Sequence, residues 1–141
     1  MANRADFKKL CQARLKSAKI LHQAGDYDAA GYLLGYVVEF ALKAAICKRL
    51  RLVTYPITGD KNFDVFATHS FDRLLVLAGL SSDIDYNKNE ELFQNWSILT
   101  QDWAPEVRYN LKSYDKLIID SKINALEYNP NGFFVWIKKR W

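Results

Sequence analysis

Residues 25–50 read GDYDAAGYLLGYVVEFALKAAICKRL, and this stretch decides the fold class. Alanine is frequent in it, the alternating pattern of a strand is absent, and apolar residues fall on nearly every side of a helix. A helix that is apolar nearly all round belongs in the centre of a bundle. Asp26 or Asp28 is suited to cap its first turn. The stretch therefore predicts a central core helix over 27–50.

Two glycines of this helix, Gly31 and Gly35, lie four residues apart and therefore share one face. Each glycine lowers helix propensity by about 1 kcal/mol, so we expect close packing to compensate for it. The spacing allows the backbone of another element to approach the core helix closely along this face.

The flanking sequence predicts more helices and no sheet. A chain of 141 residues has the length of one domain, so we expect residues 1–141 to form a single domain. The first helix should pack antiparallel to the core helix. We expect an all-α, up-and-down bundle of about four to six helices, with loops over 51–68 and 81–88 and helices over 4–24, 27–50, 71–78, 89–101, 113–126 and 133–140.

Composition excludes several classes of protein. Hydrophobic residues make up 50% of the chain and aromatic residues 14%, which excludes a disordered protein. Cys11 and Cys47 are too few for a disulfide framework, so we expect reduced core thiols. The sequence begins without an apolar signal region, and the uncharged run from Ala29 to Val38 is too short to span a bilayer. These features predict a cytoplasmic protein that does not engage a membrane.

The net charge is +4, and the positive surplus lies mostly before Asp26. Lys8, Lys16 and Lys19 form a basic stripe on the predicted first helix. Such a stripe could follow a nucleic-acid backbone, and it could equally be an ordinary solvated helix face. These three lysines are the candidate nucleic-acid contacts.

Glu39 is the most informative charged residue because it lies in the most apolar helix, where an unpaired charge is very unfavourable. Lys43 follows one turn later and can pair with it. Arg14 and Arg108 are the other cations in apolar or aromatic surroundings. We expect Glu39 to be buried and paired with a cation, with Arg108 favoured over Arg14 and Lys43 close by. The charges would form a structural network or, alternatively, a ligand or catalytic site.

The remaining polar candidates carry weaker signals. The segment WAPEVRY, residues 103–109, brings Trp103, Arg108 and Tyr109 to a helix break, where they could stack bases and contact phosphate or seal the end of the bundle. Of the two histidines, His69 precedes a predicted helix and could line a groove, although local packing or capping is the simpler interpretation. No metal-binding, phosphate-binding or nucleophile motif is present, so we expect no metal and no cofactor.

Three segments resemble the HEPN family of helical domains. Residues 25–44, GDYDAAGYLLGYVVEFALKA, resemble its Gly-Asp-Tyr turn and long Ala-rich helix with Glu and Lys one turn apart. His69-Ser-Phe71 with Leu74 is similar to the segment that opens a following helix in many members. Residues 103–109 are similar to the W-x-P-E-x-R-Y segment of one subgroup. The three segments occur in the family's order and span nearly the whole chain.

The resemblance implies a helical bundle that dimerises and acts in toxin–antitoxin or defence systems, often beside a small nucleotidyltransferase. Many HEPN proteins are metal-independent RNases that use an R-x(4–6)-H motif. That motif would need an arginine at 62–64 before His69, where the chain has Asn, Phe and Asp, or at 15–17 before His22, where it has Leu, Lys and Ser. The usual RNase centre is therefore missing, and no catalytic residue is assigned.

Three functional hypotheses are consistent with these residues and segments. The first is a non-catalytic HEPN-like module that binds a protein partner such as a nucleotidyltransferase, a nucleotide or RNA. The second is an RNase with a divergent site at Arg108, Tyr109 and Lys112. The third is a structural or regulatory homodimer, since all four tryptophans lie between residues 96 and 141 and a single small bundle would struggle to bury them.

Overall fold

The structure is a computed structural model that describes residues 2–56, 61–101, 103 and 114–141. Over these ranges the chain is helical and contains no strand, so the prediction of an all-α helical bundle is confirmed. Two short 3-10 helices span Lys61–Phe66 and Ser81–Asp83. The α-helices are α1 (Arg4–Gln23), α2 (Tyr27–Leu50), α3 (Phe71–Leu77), α4 (Glu90–Thr100), α5 (Lys116–Glu127) and α6 (Phe133–Ile137).

Helices α1 and α2 form an antiparallel pair, as predicted. The Phe7 ring lies 6.0 Å from the Phe40 ring, centroid to centroid. One turn later the Cys11 thiol donates a hydrogen bond to the Val37 carbonyl oxygen at 3.2 Å. Later residues of α1 thus contact earlier residues of α2, which is the antiparallel arrangement. The turn between the helices uses Gly25 at φ +84°, a left-handed conformation that suits glycine and ends α1.

Helix α2 is the core of the bundle. Its largest fully buried side chains include Leu34, Val38, Leu42 and Ile46. Asp26 caps it by accepting a hydrogen bond from the Ala29 amide at 3.3 Å, which selects Asp26 from the two predicted caps. Among the described residues α2 alone is long and apolar enough to cross a membrane, and 72% of its most apolar window is buried inside the fold. Packing against the neighbouring helices accounts for that apolar composition.

The glycine face of α2 is covered by aromatic rings. A Cβ atom added at Gly35 would overlap the Trp103 indole, and one added at Gly31 would overlap the Tyr114 ring. The expected close packing is present at this face, and its partners are aromatic side chains. Bulky rings from the second half of the chain can lie against α2 here because the two glycines have no Cβ atoms. A closely packed backbone would need the same space.

The second half of the bundle contains a buried lysine. Lys122 of α5 is 5% exposed, donates to the Ile98 carbonyl of α4 at 2.9 Å and lies 5.6 Å from the centroid of the Tyr114 ring. Next to it, the Asn95 amide donates to the Asn131 carbonyl at 2.9 Å. These contacts tie α4 antiparallel to α5 and hold the turn before α6.

Some predicted boundaries shift in the structure. The segment 51–68 is not entirely loop, because Lys61–Phe66 forms a 3-10 helix. Helix α5 begins at Lys116 because the Asp115 side chain caps it, accepting from the Ile118 amide at 2.9 Å. Helix α6 ends at Ile137, and tighter turns continue to Arg140.

Candidate functional site

Glu39, Lys43 and His69 form a polar group on the flank of the core helix, which we call the Glu39 cluster. Glu39 is 1% exposed, which confirms its predicted burial. Its Oε1 lies 2.7 Å from His69 Nδ1, and its Oε2 lies 3.2 Å from Lys43 Nζ. Each oxygen of the buried carboxylate therefore has its own nitrogen partner, which offsets the desolvation of the charge.

Aromatic side chains enclose the lysine side of the Glu39 cluster. Lys43 Nζ lies 5.0 Å from the centroid of the Tyr55 ring and 6.0 Å from that of Phe7, both within cation–π range. Burial, and then the negative charge of Glu39, raise the pKa of Tyr55 above its ordinary value. Tyr55 therefore stays neutral, and its hydroxyl donates to the Phe66 carbonyl oxygen at 2.8 Å.

His69 joins the Glu39 cluster from the residue before the cap of α3. Ser70 caps the helix by accepting from the Arg73 amide, which places His69 next to α2. The His69 side chain is 53% exposed, whereas the Glu39 side chain that it contacts is 2% exposed. Its Nε2 has no hydrogen-bond partner within the described ranges. The ring thus has one nitrogen held by a buried carboxylate and the other accessible.

The structure separates the other predicted members of this network. Arg14 is half-buried beside the stripe of buried residues on α1, and within the described ranges no ion pair joins it to Glu39. Arg14 thus lies at the edge of the apolar face of α1, which Cys11 and Leu15 occupy. Arg108 and Tyr109 lie outside the described residues, so their pairing stays a prediction. Sequence reasoning did not connect His69 with Glu39, which lies 30 positions away.

A second group of charges, the basic surface, lies where α1 begins and α2 ends. It consists of Arg4 and Lys8 of α1, Lys48 in the last turn of α2, and Lys138 after α6. Burial, and then repulsion by Arg4 and by Lys48, lower the pKa of Lys8. Lys138 is close enough to Cys11, one turn after Lys8, to oppose the rise that burial imposes on the pKa of that thiol.

Trp141 anchors the basic surface. Lys8 Nζ lies 5.3 Å from the centroid of its ring, and the Arg4 guanidinium donates to its carbonyl oxygen. No aspartate or glutamate side chain in the described part of the chain forms an ion pair with Arg4, Lys8, Lys48 or Lys138. Cations from α1, from α2 and from the end of α6 thus lie in one region, and none of them is paired with a described aspartate or glutamate side chain.

The three lysines of the predicted stripe on α1 have different surroundings in the structure. Lys8 belongs to the basic surface. Lys19 instead pairs with Glu127 of α5, with Nζ 2.6 Å from Oε1, so its charge is already neutralised. Lys16 is exposed on the same helix.

A groove of about 500 Å³ runs between the Lys61–Phe66 helix and α3. Val65 and Val76 line it and are 56% and 59% exposed, which is unusual for valine. Asp64, Asp72 and Arg73 supply its polar edge. The described residues contain no group of three His, Cys, Asp or Glu side chains that could hold a metal ion.

No family model, curated protein or solved structure matches this chain. The HEPN resemblance therefore depends on the sequence segments, and the Glu39 cluster, the basic surface and the groove are the structural features that bear on function.

Proposed function

We propose that this protein is a non-catalytic, HEPN-like helical module that binds RNA through the basic surface. The observation that carries the proposal is the gathering of Arg4, Lys8 and Lys48 from two helices, with no described aspartate or glutamate side chain paired to them. Like charges held close together repel one another, and an anionic partner relieves that repulsion. A phosphate backbone provides such a partner along its whole length.

The geometry favours contacts to the backbone over recognition of bases. Lys8 and Arg4 are both held in place by Trp141, and Trp141 itself is only 7% exposed, so its ring is not free to stack on a base. Binding through the basic surface should therefore depend on salt and only weakly on base sequence. RNA is preferred to other polyanions because of the HEPN resemblance.

The test is the salt dependence of RNA binding. Fluorescence anisotropy with a labelled single-stranded RNA should give a plot of log affinity against log salt whose slope reflects the number of phosphates contacted. Lys8→Gln should weaken binding and reduce the slope by about 0.7, the value for one contact to single-stranded nucleic acid. Lys19→Gln is the matched control, since it removes an equal charge from the same helix at a lysine that Glu127 already neutralises.

Two results would refute this proposal. RNA that fails to bind at low salt would exclude it, and so would equal effects of Lys8→Gln and Lys19→Gln. Binding of duplex DNA or of anionic vesicles in preference to RNA would reassign the basic surface to that partner.

A protein partner is a second candidate, which the exposed valines of the groove favour. Val65 and Val76 would bury their side chains against such a partner, which could be a nucleotidyltransferase or a second copy of this chain. Light scattering at high micromolar concentration tests the homodimer. A dimer that Val76→Glu dissociates would locate the interface at the groove, and a monomer would exclude self-association.

The RNase alternative concerns Arg108, Tyr109 and Lys112, all of which lie outside the described residues, so it stays a prediction. Gel electrophoresis of the RNA recovered from the binding assay tests it directly. Metal-independent cleavage that Arg108→Ala abolishes would replace the non-catalytic proposal.

A further inference from the structure

Each of the two histidines of the chain lies next to a carboxylate, but through a different ring nitrogen. His69 Nδ1 lies 2.7 Å from Glu39 Oε1, and His22 Nε2 lies 2.7 Å from Asp120 Oδ1. The distances are equal, but different ring nitrogens are engaged. The His69 side chain is 53% exposed and that of His22 is 18% exposed.

The engaged nitrogen determines the reactivity of the other. A carboxylate next to Nδ1 favours the tautomer that carries its proton there, which leaves the lone pair of the neutral ring on Nε2. The same carboxylate stabilises the positive charge that develops when Nε2 forms a new bond. Glu39 is almost fully buried and cannot turn away to water, so it holds this orientation.

We propose that His69 is a phosphoryl-acceptor site, modified at Nε2 by a donor of the acyl phosphate or phosphoramidate class. The Nε2 lone pair attacks phosphorus, and an N–P bond forms as the P–O or P–N bond to the leaving group breaks. An acyl phosphate releases a carboxylate, and protonated phosphoramidate releases ammonia. The Nδ1 proton stays in its hydrogen bond to Glu39 throughout, so no oxidant and no further reactant are needed.

The surrounding charges support a phosphoryl group at this position. Lys43 shares the Glu39 carboxylate with His69, so its ammonium group is close to the reacting ring. Arg73, four residues after His69, lines the groove together with Asp64 and Asp72, so it lies among acidic side chains there. Lys43 is therefore the cation that favours an anionic donor at this site. This proposal does not depend on the basic surface or on RNA binding.

The first experiment uses His22 as an internal control. The purified protein is incubated with potassium phosphoramidate, and phosphohistidine is located by peptide mass spectrometry and NMR. We expect His69 to react at least tenfold faster than His22 and to carry phosphorus on Nε2. Equal rates for the two histidines, or phosphorus on Nδ1 of His69, would overturn the proposal.

The second experiment separates the roles of Glu39 and Lys43. Glu39→Gln should slow the reaction of His69 about tenfold with phosphoramidate and with diethyl pyrocarbonate, a neutral electrophile, because it removes the activating carboxylate. Lys43→Gln should lower the phosphoramidate rate relative to the diethyl pyrocarbonate rate severalfold, because only the phosphoryl donor is anionic. An unchanged ratio in Lys43→Gln would overturn the phosphoryl assignment. If Glu39→Gln does not fold, the Lys43→Gln ratio and the site of phosphorylation still decide the question.

Discussion

Replacement of Glu39 by glutamine tests whether the Glu39 cluster holds the bundle together. The substitution preserves the shape of the side chain but removes the charge that binds His69 at 2.7 Å and Lys43 at 3.2 Å. Charge-assisted hydrogen bonds contribute about 1.5–3 kcal/mol each, and both are weakened in the variant. Breaking a buried ion pair typically lowers the free energy of unfolding by about 3–5 kcal/mol.

The structure places the expected loss at the lower end of that range. His69 remains hydrated when the carboxylate charge is lost, because its side chain is 53% exposed, so Lys43, whose side chain is 15% exposed, is the one mostly buried cation left without a charged partner in this cluster. A neutral glutamine is also less unfavourable to bury than an unpaired carboxylate. We therefore expect Glu39→Gln to lower the free energy of unfolding by about 3 kcal/mol, or the Tm by roughly 10 °C.

Thermal and denaturant unfolding followed by circular dichroism measure this loss. Asp120→Asn is the matched control, since Asp120 also binds a histidine at 2.7 Å and a lysine four residues away at 3.0 Å but is 39% exposed. Its effect should be much smaller, because exposed ion pairs contribute little. Equal effects of the two substitutions would refute the argument from burial. A fully stable Glu39→Gln would show that the cluster is not structural.

Three further predictions concern the packing and the titrating groups. Gly35→Ala should lower stability by about 1–3 kcal/mol in thermal melts despite its better helix propensity, because the new methyl group overlaps the Trp103 indole; a stabilised variant would contradict this packing. Burial raises the pKa of the Cys11 thiol to about 12, so a disulfide reagent at pH 8 should react with it only after unfolding, and rapid reaction with the native protein would show that the site opens. The hydrogen bond from Lys116 lowers the pKa of Asp120, so the stabilisation from this carboxylate is present above its ordinary pKa and is lost as the pH falls through the lowered value. Asp120→Asn should therefore reduce the loss of stability that denaturant unfolding measures at acid pH.

Local sequence was sufficient to predict most helices, and the reason is visible in α2. Its bounds, Tyr27–Leu50, match the prediction because an aspartate cap and an uninterrupted apolar pattern are both encoded within neighbouring residues. Burial of Glu39 and its contact with Lys43 were predicted on the same basis, since residues four apart on a helix are neighbours in space. The prediction of a loop over 51–68 missed the 3-10 helix within it, because so short a helix has little periodic pattern in its sequence.

The pairing of charges between distant segments was decided by the tertiary structure. Glu39 and His69 are separated by 30 positions, and only the packing of α3 against α2 brings them together. The lysines of α1 look equivalent in sequence, yet α5 neutralises Lys19 through Glu127 while Lys8 is placed beside Arg4 and Lys48. Periodicity reports which face of a helix is apolar, but the free energy of a charge depends on what the other helices place next to it. Capping and periodicity among neighbouring residues are therefore sufficient for the bundle and for the burial of Glu39, whereas the packing of the helices decides which charges remain available for a partner.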